Sequence, residues 1–473
     1  MSGDEVDAVV VGSGPNGLCA AIALAQAGRS VRVVELGPSP GGGVRTDEGT
    51  LPGFRHDVCS AIHPMAVASP FLQSLDLERH GLRWIHPEAP LAHPLEGGPA
   101  VLLERGLAET DALLDADDRG AWSELMSPFA GRLDELLADT MGPLARPGDP
   151  MLLARFGLRA LRPCSGLARE RFRGPRGRAL LAGLCAHSVL PLDLLPSAAI
   201  GLMLGLVGHG YGWPFPEGGA QALTDALVAE LRSLGGELVL EQRVTELAEL
   251  PDGALVFFDT GPQAMARVAG ASLPHGYVQK LERYRYGPGV FKLDWALSGP
   301  VPWTDPAVAR AATVHLGGTL EELEASERAA WDGRHLERPF VLLAQHSLFD
   351  PTRAPEGQHT LWGYCHVPAG SEVDMSAAVE AQIERYAPGF GDLVLARRSL
   401  SSAQVEAYNP NYVGGDVNGG APTVDQLFTR PVAAASPYRT PNPRLFLCSA
   451  STPPGGGVHG MCGVHAVRAG LAK

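Results

Sequence analysis

An α/β fold with a Rossmann-type parallel sheet is what the sequence predicts, on three observations. Residues 6–11 (VDAVVV) form an apolar, β-branched run of strand length. The run passes into Gly12-Ser13-Gly14-Pro15-Asn16-Gly17 and then into the alanine-rich stretch 18–27, which stops at Gly28 as helices often do. Residues 30–34 are again β-branched and end at the acid Glu35. Strand, glycine turn, helix, strand and acid in that order predict a dinucleotide site.

Each part has a physical task. Gly12 permits the tight turn, Gly14 lets the backbone approach a pyrophosphate, and Gly17 lets the helix pack close to the strand. Pro15 and Asn16 stand at the helix start, where free N–H groups and the positive dipole end face the phosphates. Glu35 is placed to accept from a ribose hydroxyl, with Leu36 beside it. The plainer alternative is an ordinary βαβ unit whose glycines only turn the chain. A second glycine-rich segment, residues 41–46 (GGGVRT), weighs against it. Gly42, Gly43, Val44 and Arg45 suit a large cofactor whose pyrophosphate runs on towards a reactive ring, which a simple nicotinamide unit does not need. Arg45 offers a charge-assisted contact to the phosphates or the ring edge.

Composition is that of a globular enzyme. The chain has 473 residues, 45% apolar and 19% charged, enough for more than one core. A formal net charge of -14 argues against nucleic-acid binding. The seven cysteines are scattered and none forms a C-x-x-C pair, which removes a dithiol motif and a zinc ribbon and predicts a reducing compartment. No metal-ligand spacing occurs either, so no metal is expected. The first strand begins at Val6, so no leader is expected, and no apolar run reaches the roughly 18 residues that span a bilayer. The expected location is cytoplasmic, with a peripheral membrane contact as the further expectation.

Residues 70–210 read mostly as helices broken by Pro and Gly. Leu113, Leu114, Trp122, Leu125, Leu133, Leu136 and Leu137 recur at helical spacing. Residues 155–178 carry eight arginines beside leucine and phenylalanine. Such a stretch can lie on a membrane, although Pro163 and Pro175 interrupt it and a solvated helix face is the more ordinary reading. Residues 198–207 (AAIGLMLGLV) are apolar on all sides and predict a buried helix. Residues 213–220 (WPFPEGGA) read as a loop entering a helix over 221–234, and 236–240 and 254–259 as strands. Residues 292–297, 341–346 and 359–366 are strand candidates for an antiparallel substrate-domain sheet. At the end, 444–449 (RLFLCS) is a short apolar strand, followed by a glycine turn and a helix over 464–471.

The chain resembles the flavoproteins that include phytoene desaturases, carotenoid isomerases and, more distantly, flavin amine oxidases. The match lies in residues 9–17, 35 and 41–46, in 53–64 (GFRHDVCSAIHP) and in 213–223. It is densest in 408–420 (YNPNYVGGDVNGG) and 442–463 (NPRLFLCSASTPPGGGVHGMCG), so it covers most of the chain. The likeness points to the phytoene dehydrogenase-like branch, and hence to a Rossmann-type FAD-binding domain (GR2-like flavoprotein) with a mixed-sheet substrate domain and a helical cap. It implies FAD as cofactor, with Phe215, Gly218 and Gly219 near the flavin ring, Val244 at the adenine, and Gly456, Gly457, Val458 and His459 at the ribityl chain and the flavin pyrimidine edge. The β-hairpin the family inserts after that valine is missing here. His63 and His459 are the acid/base candidates, because both neighbour segments expected at the flavin. Lys292 is a weaker one: as in amine oxidases it could approach the flavin through water, or it could be a strand lysine facing solvent.

The domain division expected is 1–70, 213–265 and 400–473 for FAD, with 71–212 and 266–399 for substrate. The expected activity is hydride removal from a hydrophobic small-molecule substrate. Alternatives are a redox-neutral cis–trans isomerase using reduced flavin, an amine or alcohol oxidase, and a flavin-bound interaction protein without catalysis.

Overall fold

Two sheets organise the chain, and the cavity described below lies between them. A computed structural model describes residues 6–143, 147–427 and 429–472. The first sheet has five strands in the order Leu445–Leu447, Leu255–Phe258, Ala8–Val11, Val31–Val34, Glu237–Val239. Every neighbouring pair is parallel. Its central strands are buried on both faces, as β-branched runs between two helical layers should be. Helix Pro15–Gln26 packs between Met461–Leu471 and Gln221–Ser233 against this sheet, burying Leu18, Ile22, Leu223, Leu227, Val464 and Val467 in one core.

The second sheet has seven strands in the order Val394–Leu400, Gly289–Leu297, His359–Val367, Val341–Ala344, Ala311–Leu316, Ala89–His93, Val101–Leu103. The expected antiparallel pairing holds for all neighbours but one, since Ala311–Leu316 runs parallel to Ala89–His93. Two of its strands come from the region read as helical. Ala89–His93 is buried on both faces and so lacks the alternation that marks a strand.

The remaining cap is helical, but in shorter pieces than the periodicity suggested. The stretch 107–139 divides into Leu107–Ala112, Ala121–Ala130 and Leu133–Thr140. Gly120 breaks it in the left-handed conformation that glycine adopts at little cost. The arginine-rich stretch is three helices, Pro150–Ala160, Cys164–Arg171 and Pro175–Ala186, interrupted at Pro163 and Gly174. Four of its arginines are paired with acids: Arg162 and Arg171 with Glu170, Arg169 with Glu321 and Glu324, Arg176 with Asp115. Helix Ala198–Gly210 is buried along most of its length, with Ile200 exposed. Among the described residues no helix is long and apolar enough to cross a membrane.

Candidate functional site

One cavity of about 2110 Å³ runs from the glycine turn at Gly12 to the exposed edge of the helical cap. Its cofactor-side wall is made of backbone. Gly12, Gly14, Pro15 and Asn16 line it from the first turn, and Gly42, Gly43, Val44 and Arg45 from the second. The two turns interlock, with Gly41 N–H donating to the Ser13 carbonyl at 3.0 Å. Gly42 has φ +57°, and a Cβ there would lie 3.2 Å from the Gly14 Cα, so both the conformation and the contact require glycine. Glu35, Leu36, Val244, Gly456, Gly457, Val458 and His459 complete this wall. Val458, a β-branched residue, sits at φ +59°, a strained conformation of the kind that clusters at ligand sites.

Four predicted cofactor-binding residues stand elsewhere than the wall. Gly17 lies behind it, where a Cβ would sit 2.3 Å from the Gly12 carbonyl oxygen, so its task is the close helix–strand approach. Phe215, Gly218 and Gly219 do not reach the cavity. Phe215 packs edge-on against His346 at 4.9 Å, and the Gly218 N–H donates to Asp350 at 2.8 Å. Their segment serves a buried buttress instead. Asp57 pairs there with Arg353 and accepts from the Ala220 N–H at 2.7 Å, all out of water. Burial alone would raise the Asp57 carboxyl, but the Arg353 guanidinium beside it holds it well below the usual carboxylate range.

The two histidine candidates also separate. His63 lies behind the wall, its Nε2 3.1 Å from Ser60 Oγ and its N–H donating to the Pro214 carbonyl at 2.9 Å. His459 lines the cavity. Met461 N–H donates to His459 Nδ1 at 3.1 Å, which leaves the ring proton on Nε2, a buried atom with no protein partner. Burial pushes both imidazoles down to about 4, so both are neutral at ordinary pH.

Among the described residues of the cofactor-side wall, several polar groups are left for a bound group to satisfy. Asn16 Oδ1, Thr260 Oγ1 and His459 Nε2 are buried, unpartnered and part of the same wall. With the backbone cradle of the two glycine turns, they fit a large polar cofactor such as a flavin dinucleotide. Two side chains are already engaged. Glu35 accepts from Ser13 N–H at 3.0 Å and Gly37 N–H at 2.8 Å, and Arg45 is tied to Glu35, Tyr408 and the Pro40 carbonyl. The expected reach of Arg45 to phosphate therefore competes with its own loop.

Sequence reasoning missed Asp259, whose carboxylate accepts from the Gly17 N–H at 2.9 Å in the first turn. Burial pushes this carboxyl well above its usual range. The acid closing 254–259 (ALVFFD) was visible, but its partner lies 242 residues away.

The opposite wall is mostly apolar side chain. Ile62, Met65, Leu153, Phe156, Met203, Leu204 and Leu342 line it, with Trp213, Trp362 and Tyr364. Lys292 also lines the cavity and is 3% exposed, so the reading of a solvent-facing strand lysine fails. It pairs with Asp294, which Arg398 holds at 3.0 Å while making two 2.8 Å bonds to Asp47. Burial pulls the Lys292 ammonium below its ordinary range, against the attraction of Asp294. At the open end, Leu158, Leu161 and Ile200 line the cavity and are 77%, 43% and 40% exposed, so its mouth is rimmed with apolar surface.

The family described as "Flavin containing amine oxidoreductase" matches residues 16–469. A protein of Rattus norvegicus named "Pyridine nucleotide-disulfide oxidoreductase domain-containing protein 2" is 28% identical over 98% of this chain and 92% of its own length. A limonene dehydrogenase polypeptide of Castellaniella defragrans is 31% identical over 28% of this chain and 24% of its own. Among solved structures, an oxidoreductase from Methanosarcina mazei has the same fold, with a TM-score of 0.64 at 18% identity, over 98% of this chain and 99% of that one.

Proposed function

The chain belongs to the flavin-containing amine oxidoreductase family and is an FAD-dependent oxidoreductase, and from that premise we propose that it dehydrogenates a long hydrophobic substrate in the manner of phytoene dehydrogenases. The flavin supplies hydride acceptance; the chain supplies orientation, a dry site and a means of entry. In this reading the FAD unit is 1–70, 213–265 and 400–473, and the substrate unit is 71–212 and 266–399.

The observation that carries the reading is the charge inventory of the cavity. Its described lining contains only three carboxylates, Glu35, Asp47 and Asp259, and each is already bonded, to Ser13 and Gly37, to Arg398, and to Gly17. None stands on the apolar wall to hold an ammonium, and burying an unpaired charge there would be costly. A hydrocarbon meets no such cost. The partial likeness to a protein named for the dehydrogenation of limonene supports the same substrate class.

The apolar mouth supports entry from a lipid surface. Arg155 is exposed on the same helix as Leu158, giving the pairing of basic and apolar groups that an interfacial helix presents to anionic lipid. The second reading, an amine or alcohol oxidase, draws support from Lys292 in the cavity wall.

In the proposed site, His459 positions the cofactor through its Nε2 proton rather than exchanging one, since its imidazole is neutral and Nδ1 is engaged. Lys292, fixed by Asp294 in the cavity wall, would orient water or substrate beside the bound group.

The test is a visible spectrum of the purified protein, repeated anaerobically with polyenes, alcohols and amines. Bleaching of the flavin bands by a polyene is the expected result. Bleaching by an amine or alcohol, with peroxide formed in air, moves the assignment to an oxidase. Bands that no compound bleaches sink the dehydrogenase reading.

A further inference from the structure

Three histidines outside the groups assigned above, His93 and His315 buried and His187 half-buried, meet at one end of the apolar wall. The register of the seven-stranded sheet sets Lys292 beside Tyr364, Tyr364 beside Leu342, and Leu342 beside His315. Lys292, Tyr364 and Leu342 lie in one row on the cavity floor, and at about 4.8 Å per strand His315, next in the row, stands roughly 14 Å from Lys292. His315 lies behind the floor, and His187 covers it. His187 is the residue that closes helix Pro175–Ala186. It lines the cavity, with its ring 4.9 Å from that of His315 and 5.5 Å from that of Trp213.

The hydrogen-bond chain sets the tautomers. His93 Nε2 faces the Gly318 carbonyl at 2.8 Å and must donate to it. His187 Nε2 and His315 Nε2 are 2.9 Å apart, so one donates to the other. His315 Nδ1 is buried without a partner. A proton there would be an orphaned buried N–H, so His315 carries its proton on Nε2 and donates to His187. His187 must then carry its own on Nδ1, the half-buried ring's remaining nitrogen, which keeps access to the cavity. Thr313, two residues before His315 on the same face, adds a buried, unpartnered hydroxyl to the wall.

We propose that His187 is the polar anchor of the substrate: its Nδ1–H donates to a neutral oxygen acceptor, a carbonyl, ether or hydroxyl, at the end of a long apolar molecule whose reacting carbon lies towards the Lys292 end of the row. The inference rests on the hydrophobic-substrate reading and narrows it to an oxygen-terminated member of that class. Burial pushes the His187 imidazole down to about 3, so the anchor stays neutral and favours a neutral acceptor over a carboxylate. The same row sets the scale of its length, because His187 covers His315, which stands roughly 14 Å from Lys292.

The experiment titrates the flavin-loaded protein with 2-undecanone, undecane and undecylamine, following the perturbation of the flavin absorbance on binding. The ketone is expected to bind roughly tenfold more tightly than the alkane, the worth of one hydrogen bond to a buried donor. In His187→Phe, which keeps an aromatic ring beside Trp213, the ratio of the two affinities should fall to about one. His187→Gln, which retains a side-chain N–H, should recover part of the preference. Equal affinities for ketone and alkane in the native protein, or a preference intact in His187→Phe, would overturn the anchor and leave the hydrophobic-substrate reading standing. Binding of undecylamine alone would overturn both.

Discussion

The wall of the cavity nearer the five-stranded sheet presents backbone, whereas the wall nearer the seven-stranded sheet presents side chains. On the first, close approach decides the shape: Gly14 and Gly42 nearly touch, and Asp259 fills the space beside them. Neighbours there meet through backbone, within one turn or, as with Asp259 and Gly17, from distant parts of the chain. On the second, residues from five strands and several cap helices converge, contributing apolar surfaces and single polar groups. A shared cofactor demands the same backbone geometry wherever it binds, while a particular substrate is met by whatever side chains the sheet register brings together. The contrast teaches where each kind of change should act.

Gly14→Glu should have the largest effect. A Cβ at that position would already lie 2.6 Å from Asp259 Oδ2, and a carboxylate would occupy the space for the pyrophosphate. Flavin content, read from visible absorbance per mole of protein, is expected to fall below about a tenth of the native value, the order of loss a misplaced buried charge produces. Full flavin content in this variant would break the assignment of the backbone wall.

Next comes the buttress that links the two halves. Arg353→Met leaves Asp57 charged and buried, and removing one partner of such a pair costs about 3–5 kcal/mol. Denaturant unfolding should show that loss, with a larger share of flavin retained than in Gly14→Glu. A stability change under about 1 kcal/mol, the worth of an exposed pair, would show that the network is not a support.

The smallest effect belongs to the mouth. Leu158→Glu, at a side chain 77% exposed, should leave the melting temperature unchanged. It should weaken sedimentation with anionic vesicles roughly tenfold, because one leucine no longer enters the lipid. If native protein and variant sediment alike, or neither does at low salt, entry from a lipid surface loses its basis.

Much of the fold could be read from local pattern. The runs 6–11, 30–34 and 254–259 became parallel strands because β-branched, doubly buried runs mark themselves without reference to partners. Val244 and residues 456–459 also fell on the cavity wall, although they lie far from the first turn. The errors share a different cause. Phe215, Gly218 and Gly219 occur in a glycine turn at a helix start, a pattern that suits a ligand, yet the Gly218 N–H faces Asp350, the Phe215 ring faces His346, and the Ala220 N–H that follows them faces Asp57. His63 and His459 looked alike as residues beside glycine blocks, and only packing placed one in the wall and the other behind it. Ala89–His93 carried no alternation, so its place in the second sheet was invisible until Ala311–Leu316 supplied a neighbour.

By itself the sequence determined the dinucleotide-binding turn, the second glycine segment, the apolar character of the cap and the flavoprotein resemblance. The first three rest on pattern within a few tens of residues, where chain connectivity already dictates geometry, and the resemblance rests on motif blocks along most of the chain. Tertiary structure alone decided that Lys292 is buried on Asp294, that Asp57 meets Arg353, that Asp259 reaches Gly17, and that His187 stands on His315. In the last three the partners lie more than a hundred residues apart, and Lys292 and Asp294 share one short strand. What buries that pair is the sheet and cap around it, and burial then sets which group carries a charge.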